Sequence, residues 1–307
     1  MKAAAAYQGD FSFRKNYPGY LLIAPAILMV ILLSIYPLLN GAGISFLNYD
    51  ITRSNRADFG TFAGLKNYIA VFNMPAFRQA LGNTLVWLVC NVAAHFVIAL
   101  AAALALNRRI RCRGAFRILS LVPWAIPSAI AALTFFFLFD TNVGIINLIL
   151  MRLGIIREAV SWLGNPSTSL FTVILESIWK GTPFVLIFIL AALQGIPESV
   201  YESAKMDGAS KPQTLFFITL PMIKEPIAVA VVLDIIGTIN NFNAVWLMTQ
   251  GGPLGSSEIL YTFAYRNAFT RYSYGIAAAV SVLIFVIVAV FSVIYIRLTA
   301  EPGGKGS

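Results

Sequence analysis

Charge is scarce in this chain. Asp, Glu, Lys and Arg make up 11% of its 307 residues, where a soluble domain carries about a quarter. The charges that are present cluster between apolar runs of about 20 residues, the length that crosses a bilayer. Short segments of alternating polarity, the mark of strand barrels, are missing. These two absences leave one class, an all-α polytopic integral membrane protein with one domain. Cysteine and histidine are nearly absent too. Cys90 sits in an apolar run and Cys112 in a basic loop, so no disulfide framework is implied. The single His95 lies in an apolar stretch, reads as a hydrogen-bonded core residue, and leaves too few ligands for a metal cluster.

Motifs for chemistry are missing as well. No G-x-x-x-x-G-K-[ST] occurs; the Gly303-Gly304-Lys305-Gly306 stretch lacks both the spacing and the hydroxyl residue, so no P-loop holds a nucleotide here. Neither G-x-S-x-G nor H-E-x-x-H appears. A membrane enzyme built on His95 or Asp234 would lack a nucleophile–base constellation. The chain is therefore not an enzyme, and any energy source other than an ion gradient must come from a partner. The net charge of +9 would hint at nucleic acid in a soluble protein. Here it reads as topology, because basic residues collect in cytoplasmic loops, and no nucleic-acid partner is expected.

Six spans are expected, at residues 20–40, 82–106, 118–139, 169–193, 226–247 and 274–297. The first follows Lys2, Arg14 and Lys15; it is longer than a signal-peptide core and has no small-x-small cleavage site after it, so it is expected to be a retained span. The segments on one side, residues 1–19, 107–117, 195–224 and the tail from Arg297, hold 13 Lys and Arg against 8 in the other three loops. The short 107–117 loop carries Arg108, Arg109, Arg111, Arg113 and Arg117 with no acid. That bias puts both termini and the 195–224 loop in the cytoplasm, with residues 1–19 and 298–307 as cytoplasmic segments around a 20–297 membrane domain. The basic loop reads as an orientation signal, with anionic lipid as its other reading. Outside, a short helix is expected near Leu65–Phe72. The apolar residues 143–157 are too short to span and either lie along the interface or pack on the bundle. Gly251-Gly252-Pro253 is a turn signal.

Ionisable and polar residues inside spans are candidate path residues. Glu176 and Lys180 stand four apart on one face of the fourth span. They either line a translocation path or neutralise each other, and mutual neutralisation is the reading that needs no solute. Asp234, Thr238 and Asn241 recur at i, i+4 and i+7 on the fifth span, as a cavity lining or as polar glue between helices. Phe242 and Trp246 could stack on a sugar ring or belong to the aromatic belt or core. A relay through Glu176, Lys180 and Asp234 would suit an ion-coupled secondary carrier, although no inverted repeat is visible. Pro25, Pro37, Pro123, Pro127 and Pro183 are expected to kink their helices.

Residues 202–221 read E-S-A-K-M-D-G-A-S-K-P-Q-T-L-F-F-I-T-L-P, a long polar segment between apolar runs. Pro197-Glu198 suits a helix start, Gly208 a helix stop, Ser210 a new N-cap and Pro212 the first turn of a second helix, which Pro221 is expected to close. The pattern is a helix–turn–helix lying at a membrane surface.

This elbow resembles the E-A-A-x-x-x-G-x(9)-I-x-L-P loop of binding-protein-dependent ABC importer permeases. Glu202, Ala204, Gly208, Ile218, Leu220 and Pro221 stand at the matching places, with Ser203 replacing the alanine at the motif's second position. Asn83-Thr84, Pro123-Trp124 with Pro127, Trp179-Lys180 with Pro183-Phe184, Gly251-Gly252-Pro253, Ala268-Phe269 and Tyr274-Gly275 are similar to the carbohydrate-uptake branch, the subunit type of the maltose and glycerol-3-phosphate importers with the G-G-P turn. The resemblance implies a permease of the bacterial inner membrane that forms half of the path for a sugar, oligosaccharide or polyol. Its implied partners are a second permease subunit, two ATP-binding subunits that carry the ATP and Mg, and an extracytoplasmic solute-binding protein. The elbow would seat in a groove of the ATPase, with Glu202 offering an acceptor, Asp207 capping or touching the same groove, and Ala204 and Gly208 allowing close approach.

Overall fold

The computed structural model describes residues 17–108 and 111–299. Lys2, Arg14, Lys15, Arg109 and Lys305, with most of the proposed terminal segments, lie outside them. The described residues are helical, with isolated bridges at Leu47–Phe62 and Asp50–Ser273 in place of any sheet. The helices are α1 (Tyr20–Ile44), α2 (Lys66–Asn73), α3 (Pro75–Asn107), α4 (Arg113–Ala125), α5 (Ser128–Leu138), α6 (Ile145–Arg152), α7 (Ser169–Gln194), α8 (Glu198–Met206), α9 (211–222), α10 (Lys224–Ile239), α11 (Phe242–Met248), α12 (Leu260–Phe269) and α13 (Tyr274–Thr299). Among the described residues, five helical stretches are long and apolar enough to cross a membrane: α1, α3, α7, Lys224–Met248 and α13. A sixth arises if α4 and α5 count as one broken span.

Two of the expected spans are interrupted. The 118–139 span is not one helix but α4 and α5, bent by 90° at Ile126–Pro127. Pro127 has no N–H to give the Pro123 carbonyl, and its ring forces Ile126 into an extended conformation (φ −70°, ψ 132°). Pro123 and Pro183, by contrast, lie inside α4 and α7. The 226–247 span is α10 and α11, separated at Asn240–Asn241. Asn241 (φ −76°, ψ 75°) forms an inverse γ-turn, closed by the Phe242 N–H on the Asn240 carbonyl at 2.8 Å.

Carbonyls freed inside a bilayer need donors, and neighbouring helices supply them. Lys180 Nζ donates to the Ile126 carbonyl at 2.5 Å and to the Pro123 carbonyl at 3.4 Å. At the second break, the Trp87 indole N–H donates to the Thr238 carbonyl at 3.0 Å. Lys180 is thus occupied by backbone and forms no ion pair with Glu176, contrary to the self-neutralising reading of the sequence. Glu176 itself is 1% exposed, and its Oε2 has no hydrogen-bond partner.

Buried residues gather in three layers along α3: Phe77, Phe263 and Val280 at one end, Trp87, Val173 and Val245 in the middle, and Ala99, Ala103 and Ile189 at the other. Lipid is as apolar as these side chains, so close contact rather than escape from water holds the layers. Ala99 and Ala103, both fully buried, let α3 and α7 approach closely. α3 and α7 are parallel, since both start at the loop around 254–258: Asn83 donates to the Gly255 carbonyl at 2.9 Å, and Ser169 Oγ meets Ser256 Oγ at 2.8 Å. Asp50 and Ser273 bridge at the same end, whereas the α3–α4 connection and the 195–223 elbow lie at the opposite one.

The loops are otherwise close to expectation. α2 falls where the short outer helix was expected. Within 143–157, α6 is held by its own loop: Asn147 donates to the Val160 carbonyl at 3.0 Å and accepts from Trp162 Nε1 at 2.8 Å. Glu258 is buried beside the Gly251-Gly252-Pro253 turn and pairs with Arg266 at 2.8 Å; burial pushes its carboxyl up, and Arg266 offsets part of that.

Replacing Lys180 by Met removes the side-chain donor from both carbonyls at the α4–α5 break. A loss of about 1–3 kcal/mol is expected, read as a lower thermal unfolding midpoint in detergent. Lys180→Arg, which keeps donors there, is expected to recover most of it; an unchanged midpoint for Lys180→Met contradicts the assignment.

Candidate functional site

A cavity of about 410 Å³ lies between the two breaks. Trp124 and Ser128 reach it from the α4–α5 elbow, Asn240, Asn241, Phe242 and Asn243 from the α10–α11 break, and Ser177, Lys180, Gly181 and Phe184 from α7. His95, Leu233, Asp234, Gly237 and Thr238 complete the lining. Its volume is within the range of roughly 300–1,000 Å³ typical of small-molecule sites.

Of the path residues expected from the sequence, Lys180, Asp234, Thr238 and Asn241 line this cavity, and Glu176 and Trp246 do not. Trp246 instead stacks on Phe242 at 5.4 Å and meets Tyr265 at 4.7 Å, in an aromatic cluster behind the site. Asn241 is at the γ-turn rather than on a continuous helical stripe, where its Nδ2 donates to Ser177 Oγ at 3.3 Å. The periodicity of an unbroken helix could not reveal Asn240 and Asn243, which the break turns toward the cavity. Trp124 and Ser128 were missed for the same reason.

His95 is a core residue, as expected, and it joins three helices. Its Nδ1 lies 3.0 Å from both carboxylate oxygens of Asp234 on α10, and its Nε2 lies 3.1 Å from the Ser177 carbonyl on α7. The carbonyl can only accept, so Nε2 carries a proton, and a second proton sits between Nδ1 and the carboxylate. Imidazolium–carboxylate and imidazole–carboxylic acid are both net neutral, so the pair adds no charge to the cavity. Gly181 makes the joint possible, because a Cβ there would overlap the His95 ring.

At the other candidate site, the elbow, α8 ends at Gly208 with φ 78°, a conformation that favours glycine. Ser210 then opens α9, its N–H donating to Gln213 Oε1 at 2.8 Å. The second helical run passes through a π-turn at Leu215–Thr219 to Met222 and breaks at Ile223, within two residues of Pro221, where the sequence expected it to close. Glu202, Ser203, Asp207, Gly208 and Pro221 are exposed, and Ile218 and Leu220 are half-buried. Ala204 is buried against its own chain, so its small size serves internal packing rather than an approaching partner. The sequence reading overlooked Met206, 87% exposed, and Phe217, 77% exposed, the most exposed of the large apolar side chains on the elbow, where Phe216 and Met222 are exposed as well.

A bundle of apolar helices with broken spans, an internal polar cavity and an exposed elbow at one end defines a membrane transport component. Residues 96–299 match the family described as binding-protein-dependent transport system inner membrane component, and the chain belongs to it. It is 34% identical to the trehalose/maltose transport system permease protein MalF of Thermococcus litoralis, over 93% of this chain and 95% of that one. It is also 34% identical to the lactose transport system permease protein LacF of Rhizobium radiobacter, over 89% and 91% of the two chains. The fold is shared with a bacterial alginate ABC transporter solved in complex with an alginate pentasaccharide-bound periplasmic protein (TM-score 0.79, 23% identity, 96% of this chain and 98% of that one).

His95→Leu strands the Asp234 carboxylate in the core. An expected loss of about 3–5 kcal/mol follows, measured by thermal or denaturant unfolding in detergent. Combining it with Asp234→Leu removes the stranded group and is expected to restore much of the loss; a double variant less stable than the single one contradicts the pairing.

Proposed function

We propose that the chain is the permease subunit of an ATP-driven, binding-protein-dependent importer of an uncharged sugar, oligosaccharide or polyol. The observation that carries the solute class is the polar cavity between the broken spans. Its cation, Lys180, is held by backbone carbonyls, and its acid, Asp234, by His95. What remains for a ligand is amide and hydroxyl groups with the aromatic faces of Trp124 and Phe242, a lining suited to hydroxyl-rich rings. The names of the trehalose/maltose and lactose relatives support the same class. Broken spans also occur in ion-coupled carriers, but family membership favours the ATP-driven reading.

In this reading α4 and α5 form one span of six, residues 20–297 are the membrane domain, and both termini face the cytoplasm with the 195–224 elbow. Sharing of one end by the α3–α4 connection and the elbow supports that orientation, as does the excess of Lys and Arg there. The elbow seats in a groove of an ATP-binding subunit, where the ATP and Mg reside. Glu202, Ser203, Asp207, Gly208, Ile218, Leu220 and Pro221 form that contact, joined by Met206 and Phe217, with Ala204 packing the elbow from inside. A second permease subunit completes the path, and an extracytoplasmic binding protein delivers the solute. Glu176 and Trp246 support the path from behind.

Two variants test this in the reconstituted complex. Gly208→Asp strains a left-handed residue on the docking face; assembly is expected to persist while solute uptake falls by about tenfold or more, ~1.4 kcal/mol of lost coupling. Normal uptake with a normally assembled complex rules out the docking role. Asn241→Ala is expected to weaken uptake more than assembly, and unchanged uptake kinetics return Asn241 to a packing role.

A further inference from the structure

We propose that Arg113 and Arg117 hold the phosphate of an anionic phospholipid. The two residues stand one turn apart on one face at the start of α4. Arg113 Nε, Arg117 Nε and Arg117 Nη2 are buried and have no hydrogen-bond partner, and the Arg113 Nη2 contact with Asn107 Oδ1 is long, at 3.5 Å. Guanidinium donors in such a place call for an anion, and among the described residues no carboxylate is hydrogen-bonded to these atoms. Between Asp58 and Asp140 no acidic residue occurs, which removes all of α3, α4 and the loop that joins them. α7, the main helix packed against α4, has no acid from Gly181 to its end. Its nearest one, Glu176, lies beyond Lys180, which is beside Pro123, six residues or about 9 Å along α4 from Arg117. Arg108 and Arg111, both exposed, add positive charge around the same place.

The surroundings select a lipid over an acidic protein segment. Phe116, Ile118 and Leu119, on the same turns, are exposed apolar side chains near the start of the bent α4–α5 pair, which together is long and apolar enough to cross a membrane. A diester phosphate can take the paired guanidinium donors while its acyl chains run along those apolar groups. Which leaflet supplies the lipid rests on the orientation proposed above; the phosphate seat does not.

Native mass spectrometry of the intact, partially delipidated transporter tests the seat, with phosphatidylglycerol, phosphatidylcholine and inorganic phosphate as probes. Wild type is expected to retain phosphatidylglycerol over phosphatidylcholine. Arg113→Gln with Arg117→Gln is expected to lower that retention by about tenfold, and Arg113→Lys with Arg117→Lys, which keeps the charge but not the fork, to lower it less. If the glutamine pair fails to fold, loss of selectivity in the folded lysine pair carries the test. Equal retention of both lipids by wild type, displacement of phosphatidylglycerol by millimolar inorganic phosphate, or a cross-link from position 117 to an acidic segment of a partner subunit would each overturn the proposal. Retention is read without nucleotide or solute, so its failure leaves the transport reading standing, and a failure of transport leaves the lipid seat standing.

Discussion

Backbone carbonyls released inside the bilayer must find donors, and that requirement organises this protein. Pro127 cannot satisfy the Pro123 carbonyl, and the γ-turn at Asn241 diverts the Phe242 N–H from the Thr238 carbonyl, which keeps the Asn241 N–H at 3.2 Å as its backbone donor. Lys180 and Trp87 answer these two needs from α7 and α3. Both helices are therefore fixed against the breaks, and the cavity is the space the breaks leave between them. A cavity made this way needs no loss of packing elsewhere: the layers around Trp87 and Val245 stay closed beside it.

The same economy applies to charge. A lysine, an aspartate and a histidine at the cavity would each be costly alone. Lys180 is directed to carbonyls, and His95 and Asp234 combine into a neutral pair that also ties α3, α7 and α10 together. Apart from the carbonyl-bound ammonium of Lys180, the surface left to a solute is made of amides, hydroxyls and aromatic faces. The joint depends on Gly181, the place where α7 is thin enough to admit the imidazole ring. Glu176 has no such arrangement, and no partner accounts for its buried oxygen.

Much of the molecule was legible in the sequence. Long apolar runs located the helices long enough to cross a membrane, five or up to six among the described residues, because span length is set by the bilayer. Gly208 and Ser210 fixed the turn of the elbow, because left-handed backbone and N-caps have narrow residue preferences. The site was less legible. Pro127 was expected to kink a span, but not to open it by 90°, since Pro123 and Pro183 have the same local chemistry and leave their helices intact. What distinguishes Pro127 is a lysine on another helix that can take the freed carbonyls, a contact 54 to 57 residues away in sequence. The helical stripe of Asp234, Thr238 and Asn241 was likewise drawn on a helix that does not continue through Asn241. Asn147 and Glu258 are held by loop geometry that no periodicity encodes.

The proposed cycle needs the cavity between the breaks to be the route of the solute. The most direct measurement is thiol accessibility at Ser128→Cys, with Cys90 and Cys112 replaced by Ala, in the reconstituted transporter. An impermeant thiol reagent added from the binding-protein side is expected to label position 128 when ATP analogues close the ATPase pair, to label it poorly without nucleotide, and to be blocked by transported solute. Labelling that is absent or equal in both nucleotide states, with solute giving no protection, contradicts the account.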